Sequence, residues 1–406
     1  MTTESKIEFD HHSPEFAKES ADRFPDLRST GAALAFTESY GGFWVSTSYE
    51  NTREILSDNE SFTVERSADG TRGGKLIPTS SKAPAIVPGI LDGEPHDRLR
   101  RPLRKFFAKP YIERTMAPTA RRLVSELLDD LVEKDEFDFA TEFSFRLTVN
   151  VIFEFVGLAE VDDREAFITM LENAFAIDPE TGADRDEQAE AAAGQFAEAS
   201  DLVRSVVRQR TADPTDDLIS QMVDPSTELT EDDVVALTLS IILGGVRTTA
   251  ASLDNMIQHL AARTDLRDEL TDDPSLIPAA VEEMLRYFTV TPLVARTVTT
   301  DVELGGVSLH AGDRVAAVLA LANLDDEQFP DALEVDTDRR DGMHLTFGLG
   351  EHYCLGLWLA RMELRTAIEL ILERMPDYEV VTASARRFTR LGVNNGYVSL
   401  PVRPNV

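Results

Sequence analysis

Apolar residues recur at intervals of three and four along most of this chain, the spacing that turns one face of a helix toward a core. The pattern predicts helices over 115–133, 139–158, 163–173, 186–210, 231–263, 275–287 and 355–374. Thr230-Glu231-Asp232-Asp233 resembles a capping box at the start of the longest one, and the apolar run from Val234 to Leu243 carries that helix into the core. The period changes to two in short β-branched and aromatic segments. These predict strands near 33–36 and 43–46, around the turn Gly41-Gly42, and again at 294–299, 314–318 and 397–400. The stretch 66–95, rich in Gly, Pro and Ser, keeps neither period, and a loop of that length in a compact domain is more often functional than idle. No linker, repeat or low-complexity tract divides the chain. One mainly α domain with small β-sheets is therefore expected over 1–406, with 1–29 as an N-terminal segment ahead of a core at 30–400.

Composition narrows the function classes. The formal net charge of −33 argues against general binding to nucleic acid or anionic membranes and suits solubility. No segment reads as the long uninterrupted apolar run of a membrane helix, and Met1-Thr2-Thr3-Glu4-Ser5-Lys6 lacks the apolar stretch of a signal peptide. A cytoplasmic protein without membrane attachment is expected, and a single reduced cysteine agrees with that compartment. That cysteine, Cys354, excludes an internal disulfide and a Cys-rich zinc site. It sits in Phe347-Gly348-Leu349-Gly350-Glu351-His352-Tyr353-Cys354-Leu355-Gly356, directly before an apolar, Arg-bearing helical pattern. Gly348 and Gly350 let the backbone pass close to a large flat group and aim its N–H groups at the sulfur. The positive end of the following helix favours thiolate over thiol, which suits a sulfur that binds iron.

The decamer resembles the haem-binding loop of the cytochrome P-450 family, Phe-Gly-x-Gly-x-His-x-Cys-x-Gly, at every fixed position. The resemblance implies the triangular helical haem-thiolate fold, haem b as cofactor and Cys354 as the iron ligand. It makes Thr346, Phe347, Gly348, His352, Leu355, Gly356 and Ala360, with Phe107, neighbours of the haem. It also implies that His96, Arg100, Arg296 and His352 bind the haem propionates, although His96 and Arg100 at i, i+4 could equally be solvated helix residues. Glu283 and Arg286, three apart on one helical face, would ordinarily be a surface ion pair. Followed by Phe329-Pro330-Asp331 and Asp338-Arg339-Arg340, they resemble the family's network beneath the cysteine loop, joined by Arg339, with Val335 where the family carries Phe.

Gly244-Gly245-Val246-Arg247-Thr248-Thr249 resembles the segment that crosses above the haem in this family, where small residues leave room for oxygen and Thr248 maps to the alcohol that holds protons and water. Arg247 stands where the family carries an acid, and a guanidinium cannot shuttle a proton. It could turn to water or an acidic partner, grip a substrate carboxylate, or support peroxide use. The basic residues Arg98, Arg101, Arg104, Lys105, Lys109, Arg361 and Arg365 suggest a docking face for a small acidic ferredoxin, with Glu351 unfavourable there. The expected function is that of a bacterial haem-thiolate monooxygenase of secondary metabolism. It would hydroxylate or epoxidise a small apolar molecule, acting as a monomer with electrons from NAD(P)H through ferredoxin reductase and ferredoxin. A peroxide-driven hydroxylase of an acidic substrate and a non-catalytic haem sensor are the alternatives. The expected pocket wall is 66–95, 243–248, 292–295 and 391–394.

Overall fold

The computed structural model describes residues 5–18, 27, 32–68, 70, 72–79, 82, 84–174, 190–339, 342–389 and 394–404. Arg340, the start of the helix expected at 186 and positions 391–393 of the expected pocket wall lie outside the described residues, as does much of 1–29.

The strands that concern the site are β1 (Leu34–Thr37), β2 (Phe43–Ser46), β3 (Phe62–Thr63), β4 (Phe137–Asp138), β5 (Val294–Val298), β6 (Val302–Leu304), β7 (Val307–Leu309) and β8 (Arg314–Ala317). One sheet runs β1-β2-β8-β5-β3. Gly41 and Gly42 take φ of 87° and 94° between β1 and β2, left-handed values that a residue without Cβ reaches at no steric cost. β2 pairs parallel with β8, and β8 pairs antiparallel with β5 in a register that sets Arg296 opposite Val315.

The helical body comprises α1 (Tyr49–Ser57), α2 (Gly93–Arg100), α3 (Ala117–Leu131), α4 (Phe145–Val156), α5 (Arg164–Ala174), α6 (Ala193–Ala212), α7 (Glu231–Gly245), α8 (Arg247–Ala262), α9 (Thr264–Asp272), α10 (Ile277–Phe288) and α11 (Leu357–Arg374). Leu128, Phe153, Ile257 and Ile371, one each from α3, α4, α8 and α11, are fully buried in a shared core. Proline in the first turn fixes the starts of α3 and α10, a few residues later than the apolar period alone places them. The 139–158 helix opens with a π-helical turn over Phe139–Ser144 and stops at Gly157, whose φ is 97°. The last expected helix begins at Leu357, after the cysteine loop and not within it.

Two expectations change along the longest tract. The single helix expected over 231–263 is two, α7 and α8, broken at Val246 with φ −86° and ψ −72°. Two adjacent glycines hold a helix weakly there, and Thr248 Oγ1 takes the Gly244 carbonyl at 2.8 Å. Glu231–Ala262 is also long and apolar enough to cross a membrane by length and composition, contrary to the expectation that no such segment exists. More than half of its most apolar window is buried within the protein, the behaviour of a central core helix.

Candidate active site

The cysteine loop is anchored before it reaches the sulfur. Gly348 and Gly350 both take φ of 70°, and a Cβ on Gly350 would lie 2.4 Å from the Leu56 carbonyl oxygen, so the loop can press against the end of α1 only with glycine there. The Cys354 N–H donates to the Phe347 carbonyl at 2.9 Å, while the N–H of Gly356 points at the sulfur. That donor sits at Gly356, the N-cap of α11, and not at Gly348 or Gly350. The helix end does favour the thiolate, through the Gly356 N–H, but burial outweighs it and the more distant charges of Arg100, Arg361 and Lys75 and pushes Cys354 up. A bound cation, not the helix end, would make the thiolate.

Beneath the loop, Glu283 and Arg286 form a bidentate pair at 2.7 and 2.8 Å, and the Arg339 Nε joins at 3.1 Å. Arg286 donates further to the carbonyls of Asn323, Ala332 and Glu334, so its buried charge is fully engaged. Asn323 carries the support onward: its Oδ1 accepts the Leu345 N–H at 2.6 Å and its amide donates to Thr346 Oγ1 at 2.9 Å. Val335 packs half-buried against the core. A second strut is Glu282, which accepts from Arg361 at 2.6 and 2.7 Å and lies 3.2 Å from His344 Nε2. Burial would raise Glu282, but His344 and Arg361 hold it at about 2.

Above the sulfur lies a cavity of about 360 Å³, lined by Cys354, Thr346, Phe347, Gly348, His352, Leu355, Gly356 and Ala360 from the loop and α11. His96, Arg100, Phe107, Gly244, Gly245, Thr248 and Arg296 line it as well, so the structure brings together the expected haem neighbours from four separate stretches of chain. The donors on its rim are incompletely used. His96 Nε2, Arg296 Nε and His352 Nδ1 are buried without a hydrogen-bond partner. Arg100 donates to the Tyr353 carbonyl, and His352 Nε2 lies 2.7 Å from an Asp92 oxygen, so part of each expected propionate contact is already occupied by protein. His96 Nδ1 stands 3.1 Å from Glu351 without hydrogen-bond geometry, and burial together with His352 and Arg100 pulls His96 down to about 4. Orphaned donors on one rim, a sulfur on the floor and apolar walls fit a flat, largely apolar group carrying two carboxylates.

On the opposite wall, Gly244 has open space where a Cβ would stand, whereas a Cβ on Gly245 would meet Ile152 at 2.9 Å. The first glycine thus leaves room in the cavity and the second admits the neighbouring helix α4. Arg247 does not line the cavity. Its Nε and one Nη bind the two oxygens of Glu172 on α5 at 2.6 and 2.8 Å, and the guanidinium lies 4.3 Å from the Phe145 ring centroid. Of the three readings of Arg247, the structure has the one in which it turns to an acidic partner, so neither the grip on a substrate carboxylate nor a catalytic role for Arg247 is supported by its position.

The basic docking face is also revised. Arg98 is paired with Asp233, Arg101 with Glu94, Arg104 with Asp97, Arg361 with Glu282 and Arg365 with Glu113. Exposed Lys105 and Lys109 lie over Phe106 and Trp358. Sequence reasoning covered Lys75 and Asp92 only as part of the expected pocket wall 66–95, without singling either out, and missed Glu363. Lys75 and Glu363 line the cavity, Asp92 holds His352, and burial raises Glu363 well above the usual carboxylate range. None of the three belongs to a local motif that could have marked it.

A helical body that brings a lone cysteine to the floor of an apolar cavity defines a haem-thiolate oxidoreductase. The cytochrome P450 family model matches residues 49–380, and the chain belongs to that family. It is 33% identical to the mycinamicin IV hydroxylase/epoxidase of Micromonospora griseorubida, over 94% of this chain and 95% of that protein. Identity to the steroid C26-monooxygenase of Mycobacterium tuberculosis is 32%, covering 77% of this chain and 83% of the relative. The structure of P450BioI, in complex with an acyl carrier protein bearing hexadec-9Z-enoic acid, superposes with a TM-score of 0.86 at 27% identity, covering 96% of this chain and 99% of that one. The protein is a monooxygenase of the bacterial type that works with haem, redox partners and a small-molecule substrate.

Proposed function

We propose that haem b would be held in the cavity with Cys354 as the ligand to its iron, and that the protein hydroxylates or epoxidises a small apolar molecule. The observation that carries this reading is that Cys354 and the Gly244–Thr248 segment line one cavity together with the partnerless nitrogens of His96, Arg296 and His352. The bound haem supplies oxygen activation, which the thiolate assists by donating electron density. His96, Arg100, Arg296 and His352 orient it through its propionates, His96 as a neutral donor. Phe107, Phe347, Leu355 and Ala360 exclude water from its faces. Thr248 Oγ1, held by the Gly244 carbonyl, presents a hydroxyl that can relay a proton or hold a water at the break, and Ser252 lines the same wall. With Arg247 turned to Glu172, no carboxylate among the described residues substitutes for the family's acid at this position, so hydroxyls and water carry the proton.

Electrons come from NAD(P)H through a reductase and an acidic ferredoxin, which approaches by Lys105 and Lys109. The chain acts as a single-domain monomer in the cytoplasm. To test the site, a ligand is first selected by the spectral shift it induces, and turnover is then followed with NADPH, ferredoxin reductase and ferredoxin. Thr248→Val should lower product formed per NADPH severalfold and raise hydrogen peroxide release correspondingly. Unchanged coupling would remove Thr248 from proton delivery.

A further inference from the structure

Lys75 is mounted more firmly than its loop suggests. Its carbonyl accepts the Ala295 N–H of β5 at 2.8 Å. The Arg314 guanidinium on β8 binds the carbonyls on either side of it, Gly74 at 2.9 Å and Leu76 at 3.0 Å. The next carbonyl, Ile77, accepts from His11 at 2.9 Å and His12 at 2.8 Å. Thus a stretch without regular secondary structure is pinned to the sheet one residue away from Arg296, and Lys75 and Arg296 line the same cavity, close enough for the charge of Arg296 to act on Lys75.

The side chain reaches inward toward Gly89, where a Cβ would stand 3.2 Å from Nζ. Among the described residues the ammonium has no hydrogen-bond or ion-pair partner, and the partly buried side chain lines the cavity. Burial, with the like charge of Arg296, pulls Lys75 down to about 8. A buried ammonium without a partner costs stability unless an anion meets it. The carboxylates nearby do not serve: Asp92 is engaged by His352 and Thr63, and burial keeps Glu363 neutral.

We infer that Lys75 is a receptor for a carboxylate inside the cavity, a group supplied either by a haem propionate or by an acidic apolar substrate. The inference deepens the haem reading and rests on it. An ammonium beside a guanidinium can receive both oxygens of one carboxylate, and the fixed backbone of Lys75 keeps the entropy lost on binding small.

Lys75→Met and Lys75→Arg holoproteins separate the two sources. Haem loss is followed by transfer to excess apomyoglobin, and ligand binding by spectral titration with dodecanoate and with dodecanamide. If a propionate is the partner, haem transfer accelerates about tenfold or more in Lys75→Met and returns toward wild type in Lys75→Arg. If a substrate carboxylate is the partner, haem is retained, dodecanoate affinity falls about tenfold in Lys75→Met and dodecanamide affinity does not, with Lys75→Arg again restoring the property. Haem transfer and both titrations unchanged in Lys75→Met would overturn the inference. So would equal damage in Lys75→Met and Lys75→Arg, which would mark a role in packing. A wild type that holds haem without thiolate ligation would refute the reading of Cys354 and leave Lys75 to be judged on these two arms.

Discussion

Beneath the cysteine loop, Glu283, Arg286, Arg339 and Asn323 satisfy one another and the carbonyls around them, whereas in the cavity lining His96, Arg296 and His352 keep buried nitrogens without a partner among the described residues, and Lys75 lines the same cavity. Both regions bury positive charge. The first region is stable because its ion pair is complete, so removing one member leaves a charge stranded. On the proposed reading the second receives an incoming carboxylate and carries its desolvation cost until that group arrives. Framework and receptor can therefore be told apart by what each buried cation lacks.

The largest expected effect is on the framework side. Glu283→Ala strands Arg286 and Arg339 and should cost about 3–5 kcal/mol of folding stability, read by chemical denaturation. A loss under 1 kcal/mol would mean that the pair is dispensable and the contrast false. On the rim, Arg296→Leu should weaken haem retention by about 1.5–3 kcal/mol, the worth of a charge-assisted hydrogen bond, measured as haem transfer to apomyoglobin. Its effect on folding stability should be much the smaller of the two.

Arg247 lies outside both regions, half-exposed and paired with Glu172. Arg247→Leu should cost about 1 kcal/mol of stability and leave acidic and neutral ligands bound equally well. Selective loss of acidic ligands would return Arg247 to the pocket.

The smallest effect is a difference in acid sensitivity. His96 is depressed to about 4 from 6.5, so the unfolded chain takes up that proton first as pH falls, and the rim loses stability between pH 6.5 and 4. Glu282 is depressed to about 2 from 4.5, so its stabilising contribution is present above 4.5 and fades only as pH falls from there toward 2. Unfolding measured against pH should therefore lose part of its upper acid-sensitive window in His96→Gln, the depressed His259 keeping the rest, and retain the lower one.

Local chemistry explains how much of this was legible in the sequence. The Thr230 and Asp233 side chains reciprocate across a single turn, Gly41-Gly42 marks a turn by its own backbone freedom, and the loop around Cys354 carries its signature within ten residues. The gathering of His96, Arg100, Arg296 and His352 on one rim followed from family resemblance, not from any periodicity. What escaped depends on distant partners. Arg247 is turned by a glutamate 75 positions away, and Lys75 is mounted by an arginine some 240 positions away, and neither pairing leaves a trace in a local pattern. The break at Val246 was hidden for another reason: the apolar period runs through it, and only the Thr248 hydroxyl and the paired glycines weaken the ladder.

The claim on which the rest depends is that Cys354 is the ligand to the haem iron. The reduced wild-type protein under carbon monoxide should show the strongly red-shifted Soret band of thiolate ligation, and Cys354→Ser should bind haem without that band. The same red-shifted band in Cys354→Ser, or its absence from a haem-loaded wild type, would contradict the account.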